Sequence, residues 1–333
     1  MKTVTPERIM QFVWSYAPTL IIQTAVHHHV FDLLDQSPQT VQQLAKKSGA
    51  SERGLKAVLN ALVGLQLLSR KGERYVLAPE SAAFLVSTRP GFLGAIFKHM
   101  SGQIIPKWLQ LDQVVRSGRP AMAVNSKKDG GKFFAKFVES LFPMGYRAAQ
   151  TLGEHLKISK IKNPVSVLDI AAGSGVWGIA LAQQSPLVRI AAVDWPEVLA
   201  VTQRVANRCG VGKRLTKIPG DLLKADFGSG HHIATLGHIL HSEGPARSQK
   251  LLKKVFKSLA SGGTIMVSEF LVNDQRTAPP VSLLFAVNML VNTENGDTFS
   301  FGEISAWLRA AGFVKPRLLD AGGVSPLILA TKP

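Results

Sequence analysis

From Val165 to the end of the chain, strand-like apolar runs alternate with segments at helical spacing, and this limits the possible folds more than any other feature. The strand-like runs are VSVLDIAA, RIAAVDW, TKIPGD, HIATLGHIL, GTIMVSEFLV and SPLILATK; between them lie GIALAQQ, VLAVTQRVANRCG, RSQKLLKKVFKSLA and EISAWLRAAGF. Strands that return through helices pair in parallel, so this half is expected to be α/β, a doubly wound, mostly parallel sheet covered on both faces.

Ahead of it, residues 19–87 read as short helices followed by a hairpin. Thr40 is placed to cap a helix carrying Val41, Leu44 and Ala45, the chain turns at Ser48-Gly49, and a second helix sets Leu55, Val58, Leu59 and Leu62 on one face. Leu67 to Leu77 then alternates around Lys71-Gly72, as a two-stranded wing does. This winged helix-turn-helix pattern is best known for reading DNA, and the second helix offers Glu52, Arg53, Lys56 and Asn60. The formal charge of +17 would suit DNA if it were concentrated, but the excess is divided almost evenly between residues 1–130 and 131–333. The densest pairs, Lys46-Lys47 and Lys253-Lys254, fall on amphipathic helices and read as solvated faces. Nucleic acid is therefore not the expected partner.

At 333 residues the chain exceeds one ordinary core, and 46% hydrophobic with 18% charged residues leaves ample surface to bury. No apolar run approaches the ~20 residues that cross a bilayer, and residues 1–18 show no signal-peptide core. With one cysteine, Cys209, no internal disulfide can form. The expectation is a cytoplasmic protein without a membrane contact. Residues 88–160 carry further helical patterns, interrupted by a Gly-, Ser-, Lys- and Pro-rich stretch from Arg116 to Gly131 that reads as a mobile loop.

The stretch VLDIAAGSGVWGIALA, Val167 to Ala182, changes from strand to helix at its glycines. In doubly wound sheets ligands sit beyond the carboxyl ends of the strands, where helix N-terminal amides are free. Gly173 and Gly175 remove the side chains that would block that approach, and Gly173, Gly175 and Gly178 formally satisfy G-x-G-x-x-G. The surrounding acids sharpen the reading: Asp169 lies inside the strand, Asp194 ends the next strand and suits both hydroxyls of a ribose, and Asp221 ends the third. A nicotinamide enzyme would need a hydride-transfer partner such as Tyr-x-x-x-Lys, and Tyr16, Tyr75 and Tyr146 supply none.

LDIAAGSG, VDWPEV, PGDLLKADF, GHILHSEGP and SGGTIMVSEF together resemble the Rossmann-like class I S-adenosylmethionine-dependent methyltransferases. More narrowly the chain is similar, along nearly its whole length, to O-methyltransferases with an N-terminal, all-helical winged-helix dimerisation domain, such as the plant caffeic acid and bacterial polyketide enzymes. The resemblance implies three regions: 1–87 for dimerisation, 88–160 as helical linker and substrate lid, and 161–333 as the S-adenosylmethionine-binding catalytic domain. It implies that Asp169, Ala171 and Gly173, with Gly175, line the methionine moiety, that Asp194 holds the ribose beside Trp195, and that Asp221 and Leu222 border the adenine. It also implies a homodimer acting on a small-molecule acceptor.

Methyl transfer is an in-line displacement that requires alignment and, for a hydroxyl, removal of a proton. His241, at the end of GHILHSEG, is the candidate base, and the resemblance implies that it is the family's catalytic histidine and that Glu269 in TIMVSEF is the carboxylate that orients it. The resemblance departs from the family where an acid after the histidine is replaced by Ser242 and a second glutamate by Thr298, with Asp297 and Glu294 nearby. This leaves C- and S-methylation open, together with a regulator whose Rossmann-like half only senses a ligand. Phe133, Phe137, Phe142 and Met144, and Phe285, Asn288 and Met289, are the candidate acceptor-pocket residues. No metal site is expected: His27-His28-His29 resembles a metal tract, but consecutive helical residues diverge too far to share an ion.

Overall fold

The computed structural model describes residues 4–124, 130–322 and 325–333, and it forms two compact units, Met1–Pro106 and Lys107–Pro333. The boundary divides the 88–160 region, so its first part belongs to the N-terminal unit and the rest to the C-terminal one.

In the N-terminal unit, Thr40 and Gln43 close a reciprocal capping box on the helix Val41–Ser48, and Ser51 caps Glu52–Gly64. Each such cap contributes about 1 kcal/mol. Leu44, Leu55, Leu59 and Leu62 bury their shared face against Phe31, Leu68 and Tyr75. The unit is not wholly helical: β1 (Leu68–Lys71) and β2 (Arg74–Leu77) form the antiparallel wing. Asn60, offered above as a base-reading side chain, accepts a 2.8 Å hydrogen bond from the Tyr75 hydroxyl, which ties it to the wing. The histidine tract is also not one helical run, because the helix Ala17–His27 stops there and His29 is left-handed at φ 54° with its Nδ1 3.1 Å from Asp32.

The C-terminal unit holds a seven-stranded sheet: β3 (Val165–Ile170), β4 (Val188–Asp194), β5 (Leu215–Pro219), β6 (His231–Gly237), β7 (Leu259–Ser268), β8 (Val314–Leu319) and β9 (Leu327–Thr331). Their order is β5-β4-β3-β6-β7-β9-β8, parallel from β5 to β7 and antiparallel at β7–β9 and β9–β8. Chain order reverses direction at β3, so the crevice between the ends of β3 and β6 is the topological switch point where such sheets bind ligands. Successive residues of β3 serve opposite faces: Val167 packs with Ile179, Leu181 and Ile190, while Leu168 and Ile170 pack with Leu251, Leu252 and Val255. The strand β8 was not expected from the sequence. It is an exposed edge carrying Lys315, Pro316 and Arg317, so the apolar signal of a buried strand is missing.

The expected Arg116–Gly131 loop is tied down in part. The helix Leu111–Ser117 takes in its first residues, and the N–H groups of Ala121 and Val124 donate to the carbonyls of Val291 and Asn292, each at 2.9 Å. Those carbonyls end the helix Pro280–Asn292 and have no partner within it. Residues 125–129 lie outside the described residues. Among the described residues, no helix is long and apolar enough to cross a membrane.

Candidate active site

The glycine turn after β3 is built around two left-handed positions, Gly173 at φ 55° and Gly175 at φ 78°. At Gly175 a Cβ would stand 2.8 Å from Thr202 Cγ2 and 3.0 Å from Ile179 Cδ1, so both conformation and space require glycine there. At Gly173 the nearest heavy atom to a Cβ is Val138 Cγ1 at 3.8 Å, so space remains open over the turn. Thr202 fastens the turn by donating 2.8 Å to the Gly173 carbonyl. Asp194 fastens it again, its carboxylate accepting from the N–H of Gly173 at 2.9 Å and of Trp195 at 2.7 Å. Ala171 completes the turn at φ 52°, uncommon for a residue with a side chain.

Asp169 is fully buried and accepts from the Thr235 hydroxyl at 2.7 Å and the Gly178 N–H at 3.1 Å. Burial pushes its carboxyl up to about 7, against those hydrogen bonds and with a further push from Asp194. Burial likewise pushes Asp194 up to about 6, although the Gly173 and Trp195 amides favour its charged form. Beyond the ends of β4 and β5, Trp195, Pro219, Gly220, Asp221, Lys224 and Ala225 line an open cleft of about 470 Å³. Asp221 is braced there by the Leu223 N–H at 3.0 Å and by Arg247 at 3.3 Å. The side chain of Leu222 turns into the core instead. An open left-handed turn, a carboxylate on a strand end beside it and a cleft floored by Gly220 and Ala225 fit an adenosyl group.

The base side is formed after β6 and β7. His241 Nδ1 lies 2.8 Å from Glu269 Oε2, and the His241 backbone N–H donates 3.2 Å to Oε1. Glu269 is 2% exposed. Burial raises its carboxyl, but the His241 ring and backbone, helped by His238, outweigh that and hold it below the ordinary range. The carboxylate therefore fixes the imidazole with Nδ1 as donor and leaves Nε2 free to accept a proton. Ser242 donates to the Ile239 carbonyl at 3.0 Å. Asp297 does not supply the missing acid: Arg276 takes its carboxylate at 3.2 Å, while its N–H donates 2.9 Å to the His241 carbonyl. Glu294 is exposed, and the buried Thr298 hydroxyl has no hydrogen-bond partner among the described residues.

Of the pocket candidates, Phe285 stands edge-on to the His241 ring, centroids 5.0 Å apart, and Phe133 and Phe137 join Phe134 in one aromatic cluster that reaches Trp195. Asn288, one turn beyond Phe285, accepts from the Trp108 indole N–H and from Asn292, each at 3.0 Å. Phe142 stacks on Tyr146 against the core, Met289 is buried, and Met144 is 54% exposed.

Two neighbours of His241 escaped the sequence reading. Phe270 packs on Phe285 at 4.2 Å and on His238 at 4.9 Å. His238 is left-handed at φ 58°, with Nδ1 buried and unpartnered among the described residues. Burial pushes its ring down to about 4, beyond the opposing pull of Glu269, so it is neutral at physiological pH. Non-glycine strain of this kind collects at functional sites; the spacing of His238 to His241 was the one available signal. Ligand atoms of His238, His241 and Glu269 lie within 4.8 Å of one another. The direct hydrogen bond within the last pair makes the set an acid–base group rather than an open metal cage.

Residues 108–314 match the O-methyltransferase domain, and residues 10–87 match the O-methyltransferase dimerisation domain. The 3-hydroxy-5-methyl-1-naphthoate 3-O-methyltransferase of Streptomyces sahachiroi is 28% identical over 299 residues, 88% of this chain and 85% of that protein. The tetracenomycin polyketide synthesis 8-O-methyl transferase of Streptomyces glaucescens is 25% identical, covering 98% of this chain and 97% of its own. Among solved structures, a candidate O-methyltransferase of Nostoc punctiforme superposes with a TM-score of 0.90 at 29% identity, over 99% of this chain and all of that one. Human N-acetylserotonin methyltransferase in complex with S-adenosylmethionine has the same fold, with a TM-score of 0.85 at 22% identity over 99% of both chains. With the first domain alone spanning more than half of its length, the chain belongs to the O-methyltransferase family of S-adenosylmethionine-dependent methyltransferases.

Proposed function

We propose that the enzyme methylates a hydroxyl of a flat aromatic small molecule, with His241 as general base and Glu269 as the residue that orients it. The buried 2.8 Å pair of His241 and Glu269, with Nε2 left to face an acceptor beside Phe285 and Phe270, carries this reading. The two bacterial relatives described above, named for a naphthoate and a polyketide, support an aromatic acceptor.

Bound S-adenosylmethionine supplies a methyl group activated by a sulfonium. Everything else falls to this chain. Asp194 would accept from the ribose hydroxyls, Trp195 and Asp221 would wall the adenine, and the Gly173 turn would let the methionine end pass. The acceptor lies between the phenylalanine rings, which exclude water and hold its hydroxyl toward His241. Its proton moves to Nε2, while Glu269 stabilises the resulting imidazolium; a base in this position contributes about 10²–10⁴ in rate. Ser242 and Thr298 stand where the family's other acids are expected, so among the described residues the Glu269 carboxylate is the one hydrogen-bonded to the ring.

The N-terminal region is proposed to hold two copies together. The dimerisation-domain match supports this, as do the exposed apolar side chains of Ile9, Phe12, Val13 and Trp14 at its N-terminal edge. The reading of the active site is tested by supplying methyl-labelled S-adenosylmethionine with matched aromatic phenol and thiophenol acceptors. Label on phenolic oxygen, lost in His241→Ala, supports it; label on sulfur alone would return the thiol alternative.

A further inference from the structure

We infer that Lys107 is the anion-recognising group of the acceptor pocket, and that the acceptor is an aromatic acid whose carboxylate lies away from the hydroxyl that is methylated. This rests on the methyltransferase reading above and adds the acceptor's second functional group.

Lys107 is only 8% exposed, and its Nζ has no hydrogen-bond partner among the described residues. Burial holds its ammonium below the ordinary lysine range, and among the described residues no carboxylate offsets that. What the ammonium has is the face of Phe133, 4.4 Å from the ring centroid. A cation–π contact compensates only part of the cost of removing an ammonium from water, and buried charges in proteins are normally paired. Among the described residues the ammonium has no partner, and an anion that arrives with a ligand would supply one.

Two lines of contact link Lys107 and its segment to the residues proposed to hold the acceptor. Phe133 meets Phe137 edge-on at 5.4 Å, and through Phe134 the same cluster reaches Trp195 on the cofactor side. On the other side Trp108, next in sequence, is fixed by Asn288, one helical turn from the Phe285 that touches the His241 ring. The ammonium is thus linked through aromatic rings to Trp195, and its segment through Asn288 to the helix whose Phe285 meets the His241 ring. A flat acid answers all three features at once: its ring to the phenylalanines, its hydroxyl to His241, its carboxylate to Lys107.

Calorimetry with 6-hydroxy-2-naphthoate and its neutral carboxamide tests the assignment. S-adenosylhomocysteine is titrated first by itself; failure to bind the wild type counts against the methyltransferase reading, separately from Lys107. The two probes are then titrated with and without it. The wild type should bind the acid about tenfold or more tightly than the amide, as a charge-assisted hydrogen bond provides. Lys107→Met, close in volume, should bind both equally with S-adenosylhomocysteine affinity unchanged, and Lys107→Arg should keep the preference. No preference in the wild type, failure of both probes to bind, or a preference that survives in Lys107→Met overturns the inference. A loss of S-adenosylhomocysteine affinity in Lys107→Met overturns it too, assigning the ammonium to the carboxylate of the cofactor.

Discussion

The two glycines of the β3 turn have different tasks, and alanine substitutions separate them. At Gly175, alanine must hold φ 78°, which costs about 1–2 kcal/mol for a side-chain-bearing residue. Its Cβ must also push Thr202 Cγ2 from 2.8 Å and Ile179 Cδ1 from 3.0 Å, and overpacking of a tight core typically adds about 1–3 kcal/mol. Gly175→Ala should therefore lose about 2–5 kcal/mol, lowering the melting temperature by roughly 5–20 °C. Gly173→Ala has the strained φ of 55° but no atom nearer than 3.8 Å, so about 1–2 kcal/mol is expected. Its added methyl stands instead where the cofactor passes, and S-adenosylhomocysteine affinity should fall about tenfold or more. Thermal unfolding without ligand and calorimetry with S-adenosylhomocysteine read the two effects. Equal destabilisation by both variants, or unimpaired binding by Gly173→Ala, would refute the division of roles.

Glu269→Gln keeps the shape around His241 but removes the charge that stabilises the imidazolium, so kcat should fall about 10- to 100-fold at unchanged S-adenosylhomocysteine affinity; an unchanged kcat argues against an orienting role. Asp194 and Asp169 keep their protons to higher pH when folded than unfolded, because burial raises them to about 6 and about 7. The apo protein should thus lose stability as pH rises from the ordinary carboxylate range through about 7, while S-adenosylmethionine affinity rises over the same window as Asp194 ionises; chemical denaturation and calorimetry at several pH values show whether both trends have these signs. Phe12→Asp combined with Trp14→Asp should shift the protein toward monomers in analytical ultracentrifugation, and a wild type that already sediments as a monomer contradicts the proposed homodimer.

The glycine turn and its acids were legible in the sequence because strand, turn and helix are contiguous there and the chemistry is local. The pairing of His241 with Glu269, 28 residues apart, came from resemblance, and the sheet explains it by laying β6 and β7 side by side. The strand β8 was hidden because an exposed edge needs no apolar run. Asp297 looked available beside Thr298 until Arg276, 21 residues away, claimed it. His238 and Lys107 were invisible for a related reason: each owes its importance to burial without a partner, which depends on packing from distant parts of the chain.

The central claim is that His241 accepts the proton of the acceptor hydroxyl, and turnover by the wild type and His241→Ala tests it most directly. With saturating S-adenosylmethionine and a hydroxylated aromatic acceptor, His241→Ala should turn over about 10²–10⁴ more slowly than the wild type while binding S-adenosylhomocysteine as tightly. Equal turnover in the two proteins would remove His241 from the chemistry.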